Sequence, residues 1–534
     1  MAGIETLVLG AGQEVGKSCV VVSFGGKRIM FDCGMHMGHD DHHRYPDFSL
    51  IPDSPDFTKS LSCIIITHFH LDHIGALPYF TEVCGYNGPI YMTYPTKALA
   101  PLMLEDYRKV MVDRRGEEEQ FTSEDITNCL KKVTAIDLKQ TVKIDEDLEI
   151  RAYYAGHVIG AAMIYAKVKD SAIVYTGDYN MTPDRHLGAA NIDKFSHLDL
   201  VITESTYATT TRDSKYARER EFLKVVHECV GNGGKVLIPT FALGRAQELC
   251  ILLDDYWERM NLKDIPIYFS AGLTLQANMY YKMLIGWTSQ KIKDTYATRN
   301  AFDFKHVKSF ERSMLNAPGP CVLFATPGML SGGFSVEVFK QWAPSEKNLI
   351  TIPGYCVAGT IGHKLIAGKR NIVDKDTRID VRCKIRQLSF SPHTDAKGIM
   401  DLMKFLSPKN VILVHGEKPK MTKLKGRIEG ELGIKCYYPA NNEVVCVPTR
   451  QYVKIDASTT FVMSCMNPNA ESFKSMVGDL KSDFESEETD CLAMNGMEVK
   501  REAEGILVME KTKRSKVVHQ DELLAVLGAK KHQS

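Results

Sequence analysis

A chain of 534 residues is long enough for about three domains, each able to bury a core. Lys plus Arg and Asp plus Glu number 66 each, so no overall charge drives the chain onto nucleic acid or membrane. A phosphate-bearing partner would have to be drawn by a local basic groove or a metal centre. The closest of the 14 cysteines, Cys436 and Cys446, lie ten apart, which excludes a C-x-x-C metal or redox motif.

The opening residues lack the basic-then-apolar plan of a secretory signal, and no window approaches about 18 uninterrupted apolar residues. Reduced thiols, and a place in the cytosol or nucleus without a membrane span, are therefore expected. Thr6 to Leu9 reads as a strand, followed by the glycine-rich Gly10 to Gly16. The next residues, Ser18 to Phe24, are β-branched strand sequence and open no helix, so the glycines read as a turn between strands and not as a dinucleotide fingerprint. A strand over Arg28 to Phe31 ends at Asp32. The loop after it carries His36, His39, His42 and His43 among aspartates and reads as a solvated surface near a site.

The apolar run Cys63-Ile64-Ile65-Ile66 then delivers T-H-F-H-L-D-H at Thr67 to His73. His68, His70, Asp72 and His73 fall within six residues, and imidazole with carboxylate is the donor set of zinc and similar divalent ions. Alternation allows His68 and His70 to face one ion while Asp72 and His73 turn to a second. Helices are expected over Leu77 to Val83 and Lys97 to Arg114, and Glu117 to Glu119 reads as a solvated turn.

Further on, one arrangement recurs: an apolar strand ending in a polar residue beside a small one. It delivers His157, Asp178, Glu204, His393 and His415, and strand ends are where sheet folds collect active-site loops. Between Glu204 and His393 strands alternate with helices, which implies a parallel-sheet α/β insertion. Beyond about Ser458 the chain turns polar, with a linker expected over Asn467 to Glu498. A small strand-and-helix module is expected over Gly505 to Met509 and Lys516 to Leu527. The basic run Lys511 to Arg514 reads as a charged turn, with a nuclear-localisation signal as the alternative.

Taken together, H-F-H-L-D-H, His157, T-G-D at Asp178 and the strand-ending Asp32 resemble the metallo-β-lactamase fold. Glu204, H-T-D-A at His393 and V-H-G-E at His415 are similar to the three added motifs of its nucleic-acid-processing β-CASP branch. C-G-M-H-M-G at Cys33, R-Y-P-D-F-S at Arg44 and D-R-R-G-E-E at Asp113 look closest to its RNA 3′-end-processing endonucleases.

The resemblance implies an α/β chain built as an αββα metallo-β-lactamase sandwich with an inserted parallel-sheet β-CASP domain and a small C-terminal α+β module. The boundaries it suggests are 1–207 and 391–450 for the sandwich, 208–390 for the insertion and 451–534 for a partner-binding region. It implies two zinc ions, one held by His68, His70, His157 and Asp178, the other by Asp72, His73, His415 and the bridging Asp178. Asp32 would orient a ligand histidine through its ring N–H. Asp72 and the pair His393 (general acid) and Glu204 (its orienting carboxylate) would be catalytic.

The expected function is zinc-dependent endonucleolytic cleavage of snRNA or pre-mRNA in the nucleus. RNA, and a non-catalytic homologous subunit docked on 451–534, would be the partners within a larger complex. A 5′-to-3′ exoribonuclease of the same fold and a catalytically silent scaffold are the rivals. Pro392-His393-Thr394 departs from the family's frequent Ala-His-Ala, and a shift of local geometry without loss of chemistry is expected. Arg245 and the loops near Gly328 and Gly354 are candidate phosphate contacts, with helix start and turns as the plainer reading.

Overall fold

Within Cys63–Ile66, Cys63 and Ile65 enter one hydrophobic cluster while Ile64 and Ile66 enter another, as a strand with both faces covered requires. The computed structural model describes residues 3–449 other than 40, 110–111, 113–119, 271–272, 375–376 and 389, with short strands between 456 and 518. The strand Cys63–Ile66 lies inside a seven-stranded sheet that runs from Glu443–Pro448 through Gly3–Gly10, Cys19–Phe24 and Lys27–Phe31 to Ile90–Thr93 and Val133–Ile136. A second seven-stranded sheet places Leu200–Glu204 between Ser171–Tyr175 and Asn410–Val414, parallel to both. Val8, Val20, Phe31 and Ile65 of the first sheet and Ile150, Ile164, Ile173 and Ile202 of the second share one buried cluster, so the sheets stack face to face. Their outer faces pack on helices such as Tyr94–Lys109 and Ala396–Leu406, giving the αββα order.

Between Leu200–Glu204 and Asn410–Val414 the chain builds a third sheet of six parallel strands, among them Lys235–Pro239, Cys321–Ala325 and Leu349–Ile352. Val236, Ile238 and Phe324 point to one apolar cluster and Leu237, Leu323 and Ile350 to another, so helices cover both faces.

The glycine-rich stretch after Gly10 is a run of bends between antiparallel strands, as its sequence indicates. Tyr79–Val83 is a single wide turn closed by the Cys84 N–H on Tyr79 O, shorter than the helix expected over Leu77 to Val83. The expected helix from Lys97 begins earlier, at Tyr94, and its described part ends at Lys109.

Residues 450–534 form a separate unit. There Ile506–Met509 pairs antiparallel with Ser515–Val518, so the segment from Lys516 opens as a strand and not as a helix. Short strands at Glu488–Thr489 and Leu492–Met494 stand within the stretch expected to be a linker, and Met497–Val499 runs across its end. The rest of that linker, Lys511 to Arg514, 519–527 and Glu117 to Glu119 lie outside the described residues.

One buried ionic cluster ties the loop after Asp178 to the helices Lys215–Gly231 and Arg245–Met260. His186 Nδ1 donates to Glu248 Oε2 at 2.7 Å, Arg245 reaches Asp184 at 2.8 Å, and Arg185 reaches Glu219 at 2.6 Å. Burial pushes the Glu248 carboxyl up, but His186, Arg245 and Lys215 outweigh it and hold the group below its ordinary value of 4.5. A depressed carboxyl pKa stabilises the fold above the unfolded value and loses that contribution as pH falls below it. Glu248→Ala leaves His186 Nδ1–H and the main-chain N–H groups of Arg185 and His186 without their acceptor and is expected to cost about 1–3 kcal/mol in denaturant unfolding near pH 7. The deficit should shrink as the wild type itself weakens below pH 4.5.

Candidate metal centre and active site

The strand-ending residues converge on one cavity, which His70, Asp72, His157, Asp178, His393 and His415 line beside Val158, Phe241, Met329 and Tyr355. His70 Nδ1 lies 3.1 Å from His68 Nε2 and 3.1 Å from His157 Nε2, while Asp178 Oδ2 stands 3.7 Å from both of those Nε2 atoms. A tetrahedral divalent ion with ligands at 2.0–2.1 Å requires donor spacings of about 3.4 Å, so these four groups fit one. On the other side of Asp178, its Oδ2 is 3.2 Å from His73 Nε2, and Asp72 Oδ2 is 3.2 Å from His415 Nε2. Asp72, His73 and His415 form a second cluster able to hold a cation, with Asp178 between the two.

Asp178 also supplies a direct sign of fit. It is only 2 % exposed, and its Oδ1 has no hydrogen-bond partner among the described residues. An orphaned buried carboxylate oxygen is costly unless a cation or water meets it. Burial pushes His68, His70 and His157 toward the neutral form that ligates metal, His70 down to about 4. Burial also works against charge at His73 and His415, but the surrounding carboxylates, Asp178 foremost, outweigh it and raise both. The two clusters thus differ in electrostatics as well as in donors.

Each of four candidate ligand histidines is held from behind by its other ring nitrogen, which fixes tautomer and ring plane. His73 Nδ1 meets Asp32 Oδ2 at 2.7 Å, as expected of that aspartate. His68 Nδ1 meets Thr67 Oγ1 at 3.0 Å, and His415 Nδ1 meets Thr206 Oγ1 at 2.9 Å. His157 Nδ1 donates to the carbonyl of Pro392 at 3.0 Å. A main-chain oxygen makes that last contact, so the departure from Ala-His-Ala leaves it available. Asp32 and His415 both adopt left-handed backbone, φ 60 and φ 52, a strained state that functional sites tolerate. Gly177, at φ 52, lets the T-G-D turn pass the Thr67 side chain, which a Cβ there would approach to 2.7 Å.

His393 sits on the loop before the helix Ala396–Leu406, its ring against the cavity and 12 % exposed. Its Nδ1 is 2.8 Å from Glu204 Oε2, and the Tyr179 N–H binds the other Glu204 oxygen at 2.9 Å. The structure therefore brings together His68, His70, Asp72, His73, His157, Asp178, Glu204, His393, His415 and Asp32. Arg245 also lines the cavity, but it is paired with Asp184, and the sequence had offered it as a phosphate contact. The His-rich loop divides: His36 is buried, its ring centroid 4.4 Å from that of His39 in a tilted contact, while His42 and His43 are exposed beside Asp41. Thr67, Thr206 and the Tyr175 hydroxyl, 3.0 Å from Asp32, are the site residues that sequence reasoning passed over. The one available signal was that Thr67 adjoins His68 and Thr206 lies two residues after Glu204.

Three family models match this chain in series. They are a metallo-beta-lactamase superfamily domain over residues 21–206, a Beta-Casp domain over 246–365 and a Zn-dependent metallo-hydrolase RNA specificity domain over 378–439. The chain belongs to the β-CASP family of metallo-β-lactamase-fold proteins and is a metal-dependent hydrolase. It is 67% identical over 531 residues to "Cleavage and polyadenylation specificity factor subunit 3-II" of Arabidopsis thaliana, covering 99% of this chain and 84% of that protein. It is 60% identical over 467 residues to "Integrator complex subunit 11 homolog" of Dictyostelium discoideum, covering 85% of this chain and 63% of that one. To "Integrator complex subunit 11" of Gallus gallus it is 59% identical over 459 residues, covering 86% and 76%. No helix among the described residues is long and apolar enough to cross a membrane.

Proposed function

We propose that the chain is a zinc-dependent RNA endonuclease that cuts phosphodiester bonds in 3′-end processing of nascent snRNA or pre-mRNA, within a multisubunit nuclear complex. The observation that carries this reading is the pair of donor clusters with Asp178 between them, and His393, backed by Glu204, facing the same cavity. The names of the relatives, a cleavage and polyadenylation factor and Integrator subunits, support the RNA class and the assembly. In this reading 1–207 and 391–450 carry the metal ligands, 208–390 covers them, and 451–534 docks a non-catalytic homologous subunit.

Two zinc ions, held by His68, His70, His157 and Asp178 and by Asp72, His73, His415 and Asp178, would supply Lewis acidity toward the scissile phosphate and a nucleophile at neutral pH. The chain's own groups do the rest. Asp72 and Asp178 are the only carboxylates among those ligands, so the donor set leaves net positive charge with two dications and draws in a phosphodiester despite the neutral chain. Glu204 holds the His393 Nδ1–H, which leaves Nε2 to carry the proton for the departing 3′-oxygen. The apolar wall of Val158, Phe241 and Met329 limits water around that transfer.

A covalently circular RNA offered to the zinc-loaded chain tests the reading. Linearisation by the wild type, and none by an Asp72→Ala, His73→Ala variant, is the expected result. Cutting of linear but never circular RNA would replace it with exonuclease action. No cutting by a chain bearing two ions, even with its partner subunits, would make it a silent scaffold.

A further inference from the structure

Glu204 closes its strand, and the next two residues fold directly under His415. The Ser205 hydroxyl donates to Val414 O at 2.7 Å, and a Cβ on Gly416 would run into Ser205. Thr206, 2 % exposed, then places one hydroxyl among three site groups. Its Oγ1 lies 2.7 Å from Glu204 Oε2, 2.9 Å from His415 Nδ1 and 3.4 Å from His393 Nδ1.

A hydroxyl has one proton to give and lone pairs to receive. The shortest contact sends that proton to the Glu204 carboxylate, which leaves the oxygen to accept Nδ1–H from His415. His415 is thereby set with its proton on Nδ1 and its free pair on Nε2, the atom 3.2 Å from Asp72. Glu204 meanwhile takes His393 Nδ1–H directly at 2.8 Å.

The same arrangement occurs in the other half of the site. Asp32 takes His73 Nδ1–H directly at 2.7 Å, and His68 reaches it through Thr67, whose Oγ1 is 3.0 Å from both Asp32 and His68 Nδ1. Each half therefore uses one carboxylate, one threonine and two histidines. The main chain of His415 is anchored by its N–H bond to Ala11 O at 2.7 Å, and its carbonyl lies 3.2 Å from Thr206 Oγ1, so the threonine hydroxyl meets both the ring and the backbone of His415.

We propose that Thr206 is a positioning residue that fixes the tautomer and ring plane of His415 and, through Glu204, couples the second metal position to the proton donor His393. This rests on the two-ion reading given above. The test compares the full-length zinc-loaded wild type with Thr206→Val, which keeps the shape without the hydroxyl, and Thr206→Ser, which keeps the hydroxyl. Zinc per chain is measured across a chelator series, and kcat and KM on RNA are measured separately.

Thr206→Val should lose about 10- to 100-fold in affinity for the second ion, with a comparable fall in kcat and an unmoved KM, and Thr206→Ser should restore both. Added to Asp72→Ala, His73→Ala, Thr206→Val should leave the single first-site ion in place, which also reports that the fold is intact. Wild-type affinity for both ions in Thr206→Val, loss of both together, or failure of serine to rescue would overturn the proposal. A wild type that never binds a second ion would overturn the two-ion reading itself.

Discussion

The Asp72→Ala, His73→Ala double variant is expected to bind one divalent ion per chain and to lose RNA cleavage. Asp72 Oδ2 and His73 Nε2 approach the shared Asp178–His415 region to 3.2 Å, and without them only Asp178 and His415 remain there as donors. The cluster of His68, His70 and His157 on Asp178 keeps every donor it has in the wild type. Cleavage should fall by more than the 10²–10³-fold, roughly, that follows loss of one electrostatic contact to a transition state. Metal analysis and cleavage of circular RNA on the same preparation provide the check. Full activity in this variant would refute the two-ion assignment.

His393→Ala should separate proton transfer from metal binding. His393 Nδ1 is nearer to Glu204, at 2.8 Å, than to Asp178, at 3.7 Å, so removing the ring leaves the donor clusters intact. Both ions should stay bound while kcat drops by about 10²–10⁴-fold, the usual worth of a general acid. A phosphodiester with a weakly basic leaving group, such as a nitrophenolate, should lose far less because it needs no proton. Asp178, Glu204, His393 and His415 also lie close enough together to hold a cation themselves. Loss of an ion from His393→Ala would therefore make the residue a ligand and not an acid.

The candidate metal-binding residues were legible in the sequence because they stand at or a few residues beyond the ends of apolar strands, where periodicity and residue type coincide. The αββα sandwich with its inserted parallel sheet followed from the same alternation and from resemblance. Contacts between distant segments were not legible. Thr206 looks like an ordinary turn threonine until the strand Asn410–Val414 pairs beside Leu200–Glu204 and brings His415, 209 positions away, to its hydroxyl. Arg245 reads as a free cation at a helix start because its partner Asp184 lies 61 positions earlier. His36 reads as a surface histidine because composition cannot show that its loop folds back and buries it.

The pairing of Leu200–Glu204 with Asn410–Val414 has a consequence for how the enzyme comes into being. During vectorial synthesis a nascent chain that has passed Asp178 already carries every residue of the first donor cluster, together with Asp72 and His73 of the second. His393 and His415 are made some two hundred residues after Glu204, His415 at the end of that late strand and His393 on the loop before the helix Ala396–Leu406. A product that stops before residue 393 therefore lacks both histidines and the strand that carries one of them. The order of the chain delays the nuclease until almost the whole catalytic unit has been made.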